Sequence, residues 1–109
     1  MTQDQRRSYF RIIYTNEACP KLRLSASTFS ILDVSEQGFR FSLGNVTGIK
    51  VGDMISGTIT FEDNESFIVN GTAMRVTDQE VSVRLKKEIP LRKIMSEQRR
   101  LLRKHSNVG

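Results

Sequence analysis

The stretch DVSEQGFRFSL, residues 33–43, joins a turn to a strand and decides how the chain is read. In FRFSL, Phe39, Phe41 and Leu43 fall on one face, with Arg40 and Ser42 on the other. That period of two marks a half-buried antiparallel strand. Glu36-Gln37-Gly38 interrupts it as a turn. The alternation recurs on both sides of this stretch. KLRLSAS (21–27) sets Leu22 and Leu24 against Arg23. TFSILDV (28–34) sets Phe29, Ile31 and Asp33 against Ser30, Leu32 and Val34. MISGTITFE (54–62) places Ile55, Ile59 and Phe61 among Ser56, Thr58 and Thr60. FIVNGTAMRVT (67–77) and EVSVRLK (80–86) close the series. About six strands in so short a span would leave two open edges in a flat sheet. The chain is therefore expected to be mainly β, a closed six-stranded antiparallel β-barrel.

From Pro90 the period changes. PLRKIMSEQRRLLRKHS (90–106) repeats apolar or long side chains at three and four: Leu91, Ile94, Met95, Gln98, Leu101 and Leu102. That spacing predicts a C-terminal amphipathic α-helix over 90–105, with its Arg and Lys residues on the opposite side. Pro90 suits its first position. A chain of 109 residues is read as a single domain. Its parts are an N-terminal arginine segment (1–11), the barrel (12–89) and the helix (90–105). The initial Met fits either a stand-alone gene product or one module of a longer one.

The net charge of +5 is unevenly placed. Residues 1–11 carry three basic and one acidic side chain, and residues 84–104 carry nine and two. The stretch between them is acidic on balance. Basic ends attract anions such as phosphates, nucleic acid or lipid head groups. No apolar run approaches the roughly 20 residues needed to cross a bilayer. The N-terminus has no secretory signal pattern. With Cys19 alone there is no internal disulfide, which suits a cytoplasmic location. The chain has one His and no His, Cys, Asp or Glu cluster with metal spacing. His105 lies in the helix tail, a poor base for a serine nucleophile. Glu62 and Asp63 lie in a turn and are expected to be solvated. No phosphate loop of the P-loop or dinucleotide type occurs. An enzyme is not expected, and no cofactor or metal.

Two motifs remain. RRSYFR (6–11) brings Arg6, Arg7 and Arg11 together around Tyr9 and Phe10. A guanidinium meets phosphate oxygens two at a time, stacks on bases and donates to guanine O6 and N7. DVSEQG (33–38) offers Asp33 as an acceptor for an imino and amino edge, and Ser35 as donor or acceptor. Gly38 there permits positive φ and a close approach of backbone to ligand. Each motif also has a plainer reading: a basic tail for the first, an Asx turn for the second.

In this order and spacing, Arg7-x-x-x-Arg11 preceded by Arg6, then Asp33-x-Ser35-x-x-Gly38, the chain resembles the PilZ domain family. Asp33 follows Arg11 by twenty-two positions, a usual interval there. VNGTAMRV (69–76) and the basic terminal helix add to the likeness, which spans essentially the whole chain. The resemblance implies a PilZ-like barrel, with the N-terminal arginine segment as a flexible arm, and a bacterial second-messenger receptor for cyclic di-GMP. Arg7 and Arg11 would grip phosphates and guanine faces. Asp33 and Ser35 would read a guanine edge, and Gly38 would let the backbone come close. Arg6 would accompany binding of two stacked ligand molecules per chain. Binding would order the arm and change a surface facing a downstream protein effector of unknown identity. A homodimer stays open. Two alternatives stand beside this reading: a PilZ-like interaction module that binds no nucleotide, and a nonspecific single-stranded nucleic-acid-binding small barrel. The first would typically lack the arginines and the turn, and the second would want aromatics on an open sheet face. The acidic barrel segment, with Ser, Thr and Arg rather than aromatics on its outer face, speaks against a nucleic-acid polymer as partner.

Overall fold

The computed structural model describes residues 10–15 and 18–106, with side chains to 103. Arg6 and Arg7 lie outside the described residues. Among the described residues, seven strands and one helix follow one another: β1 Ile12–Ile13, β2 Lys21–Leu24, β3 Ser27–Val34, β4 Gly38–Ser42, β5 Met54–Thr60, β6 Ser66–Val76, β7 Glu80–Leu85 and α1 Leu91–Ser106. Six of the strands form a ring in the order β3-β2-β5-β6-β7-β4, closed by pairing of β4 with β3. Every pairing is antiparallel. The chain is thus a closed six-stranded barrel with a C-terminal helix. The short β1 adds to the end of β3, where Ile12 faces Val34 and Ile13 faces Asp33.

The inward side chains of the alternating runs make the core. Leu22, Ile31, Phe41, Ile59 and Val81 are fully buried, and Phe29 and Phe41 meet with ring centroids 5.2 Å apart. Each such large side chain contributes about 1.5–3 kcal/mol by leaving water. Glycines let the strands approach closely. A Cβ on Gly57 would lie 2.3 Å from the Arg23 carbonyl oxygen, and one on Gly71 would lie 2.4 Å from that of Arg84.

The alternation of TFSILDV does not hold to its end. Between Ile31 and Asp33 the β3–β4 register shifts, so Leu32 is the extra residue of a bulge. Val34, expected to face outward with Ser30, is fully buried, and so is Asp33. A bulge turns the strand and re-aims the residues beyond it. A second bulge lies in β6 between Ala73 and Arg75, with Met74 the extra residue.

The helix also differs from its expected face. Leu91, Met95 and Leu102 are exposed, while Lys93, Ile94 and Glu97 are buried. The cause is what lies beneath it, the β5–β6 turn, which is acidic. Lys93 Nζ sits 2.7 Å from Asp63 Oδ2 and 3.1 Å from Glu65 Oε1, and 4.7 Å from the Phe61 ring centroid. Arg100 pairs with Glu62 and donates to Glu97 Oε1 at 2.8 Å. Glu62 and Asp63 are therefore ion-paired to the helix rather than simply solvated. Glu97 also accepts the Tyr14 hydroxyl at 2.7 Å, which ties α1 to the residue that follows β1. Among the described residues, no helix is long and apolar enough to cross a membrane.

Candidate functional site

The turn Asp33–Gly38 is pinned on both sides. The Ser35 amide donates to the Gly38 carbonyl at 2.8 Å, and its hydroxyl donates to the same oxygen at 3.4 Å. The Gln37 carbonyl accepts from the Leu85 amide at 2.7 Å, and that of Glu36 from the Ile89 amide at 2.9 Å. The turn is thereby held against the end of β7 and the approach to α1. Gly38 has a structural reason of its own. A Cβ there would stand 2.2 Å from the Val83 carbonyl oxygen, inside any real contact. Positive φ is found instead at Gly44, Gly48 and Gly52, so the freedom expected of Gly38 is not what its place in β4 requires. Its lack of a side chain lets β4 lie close to β7.

Asp33 sits between β1 and β4, opposite Ile13 on one side and Arg40 on the other. Its carboxylate is buried, and both oxygens are engaged. Arg11 donates to Oδ1 at 2.7 Å, and Arg40 Nε donates to Oδ2 at 2.5 Å. Arg40 also pairs with Glu80 at the start of β7. The hydrogen bond to Asp33 holds the Arg40 guanidinium above its usual pKa, against the lowering effect of partial burial. The Asx-turn reading of Asp33 gives way to this ion-paired arrangement. Two guanidiniums offset the desolvation of one buried carboxylate, as a buried charge requires.

These residues surround one open groove of about 730 Å³. Arg11, Asp33, Ser35 and Gly38 all line it, as do Arg40, Ser82, Met74 and Arg84. Four of the six residues singled out by sequence are thus brought together; Arg6 and Arg7 lie outside the described residues. Both bulges flank the groove, and Met74 reaches it because of the second. Sequence reasoning missed Arg40. Its signal was faint, an outward arginine two residues after Gly38, which reads as an ordinary solvated side chain. The groove is rich in guanidinium donors, with a carboxylate and a hydroxyl at its base. That combination suits an anionic ligand carrying a donor edge. No cluster of metal-ligating side chains occurs among the described residues.

A family model described as the PilZ domain matches residues 5–104. No curated protein matches the chain. Among solved structures, YcgR from Escherichia coli in complex with c-di-GMP superposes with a TM-score of 0.70 at 22% identity, covering 96% of this chain and 51% of YcgR. An uncharacterized Legionella protein superposes with a TM-score of 0.61 at 18% identity, covering 90% of this chain and 99% of that one. At these identities the likeness is one of fold, and the chain spans about half the length of YcgR.

Proposed function

The chain belongs to the PilZ domain family, and from that premise we propose that it is a cyclic di-GMP receptor whose arginine arm closes over the groove. The observation that carries this reading is the convergence of Arg11, Asp33, Ser35 and Gly38 on one groove, with Arg11 already held by Asp33. The solved complex of YcgR with c-di-GMP, similar in fold, supports the choice of ligand. Arg7 and Arg11 grip the phosphates and stack on guanine faces, and Arg6 supplies the further charge for a second ligand. Asp33 and Ser35 accept from a guanine edge, and Gly38 lets the backbone approach.

The Arg11–Asp33 pair is the contact on which the switch turns. A doubly anionic ligand competes with Asp33 for Arg11, and that exchange frees one carboxylate oxygen for guanine. Arg40, anchored by Glu80, stays behind as the fixed counter-charge. Arg11 and Tyr14 are three residues apart, and Tyr14 donates to Glu97 on α1. Movement of the arm therefore bears on the seating of the helix, and this is the route to a surface facing a protein effector. We place the receptor in the cytoplasm, where a lone free cysteine such as Cys19 is at home.

Calorimetric titration with cyclic di-GMP, beside cyclic di-AMP and GTP, tests the reading. Saturable binding of cyclic di-GMP at two per chain, with the other two rejected, is expected. Saturation at one would remove the role of Arg6. No heat with cyclic di-GMP would leave the interaction module without nucleotide, and equal binding of single-stranded oligonucleotides would favour the small nucleic-acid barrel.

A further inference from the structure

The groove contains one guanidinium that the reading above does not use. Arg84 lies in β7, directly opposite Gly38 of β4 and Thr72 of β6. Val83 and Leu85 on either side of it turn inward to the core, so Arg84 stands on the outer face. It lines the groove and is exposed. Arg11 and Arg40 are held by Asp33 and Glu80, whereas Arg84 enters no ion pair among the described residues. Its neighbour Gly38 has no side chain to crowd it. Its backbone is fixed from both sides, because Gly38 and Gly71 bring β4 and β6 close against the Val83 and Arg84 carbonyls. Two strand spacings across and two residues along separate it from Asp33, roughly 12 Å.

Given the cyclic di-GMP reading, on which this inference rests, we propose that Arg84 binds a ligand phosphodiester from the barrel side. A cyclic dinucleotide carries its two phosphates on opposite sides of one ring, and Arg11, just before β1, lines the groove on the Asp33 side. An unpaired guanidinium on a rigid strand at the other end complements the phosphate that Arg11 leaves. It also meets an approaching dianion before Arg11 has left Asp33. Arg84 is thus the preorganised half of the clamp, and Arg11, which must first leave Asp33, is the other.

The test is titration of the full chain with cyclic di-GMP for the native protein, Arg84→Ala, Arg84→Gln, Arg84→Lys and Arg11→Ala, with thermal unfolding of each. Arg84→Ala and Arg84→Gln are expected to weaken binding roughly tenfold or more, the size of one charge-assisted contact. Lysine is expected to recover part of the loss, and the unfolding midpoint to stay unchanged. Affinity within twofold of native in both Arg84→Ala and Arg84→Gln, while Arg11→Ala weakens it, overturns this inference and leaves the receptor reading intact. A loss of binding that tracks a lowered midpoint in both variants also overturns it, since Arg84 would then act on the fold. No binding by the native chain overturns both.

Discussion

Arg40 reaches across from β4 to Asp33 on β3 and donates to its buried carboxylate at 2.5 Å, while holding Glu80 on β7 with its other edge. One side chain therefore ties three strands together beneath the groove. Arg40→Ala leaves Asp33 with Arg11 alone, so every ligand that draws Arg11 away strands a buried charge. Cyclic di-GMP affinity should fall at least roughly tenfold, measured by calorimetry. Arg40→Lys should not restore it, because a lysine lacks the fork that meets two carboxylates.

Gly38 and Val83 set a second expectation. With a Cβ placed 2.2 Å from the Val83 carbonyl oxygen, Gly38→Ala must push β4 from β7. Overpacking of this kind costs about 1–3 kcal/mol, read from urea unfolding. Binding should weaken with it, because the groove floor lies across these two strands. An unaltered urea midpoint would contradict the close approach.

The helix seat predicts a separate effect. Tyr14→Phe removes the hydroxyl that donates to buried Glu97, at about 1–2 kcal/mol. Burial first, then the Glu97 bond, pushes the Tyr14 hydroxyl well above its ordinary range, so it stays protonated. Amide hydrogen exchange should show α1 opening more readily in Tyr14→Phe, with the barrel strands unaffected.

Acid should loosen the same seat. The Lys93 hydrogen bond holds Asp63 below its ordinary carboxylate range, and Arg92 followed by Lys93 does so for Glu65. A lowered folded-state pKa contributes stability that is present above the unfolded value, about 4, and is lost as pH falls through the folded one. Unfolding monitored from pH 7 downward should show this loss. Lys93→Met should shrink the Asp63 share most and the Glu65 share less, because Arg92 remains the larger cause of the latter.

Much of this architecture was legible in the residues. Phe39 and Phe41, Val81 and Val83, and Ile55 and Ile59 announced their inward faces by simple alternation, and all six are buried. The turn from Asp33 to Gly38 stood out by its composition. What the sequence could not carry was register. The bulges at Leu32 and Met74 exist because of where a partner strand pairs, and they decide that Val34 turns inward and Met74 reaches the groove. The burial of Lys93 and Glu97 was hidden for a related reason. Their partners Asp63 and Tyr14 are 30 and 83 residues away, so charges that local spacing assigns to a solvated helix become an internal network. Arg40 was overlooked because an outward arginine on a strand looks solvated until the neighbouring strand presents Asp33.

The central claim is that cyclic di-GMP takes Arg11 from Asp33 within this groove. Proton–nitrogen correlation spectra of the labelled chain, with arginine side-chain signals resolved, test it directly during titration. The expected result is a saturating shift of the Arg11 Nε–H signal together with the amides of Gln37, Gly38 and Phe39, while those of Ser66 to Val69 on the far side stay still. Saturating ligand that leaves Arg11 and the Asp33–Gly38 turn unmoved, or that shifts only residues elsewhere, would contradict it.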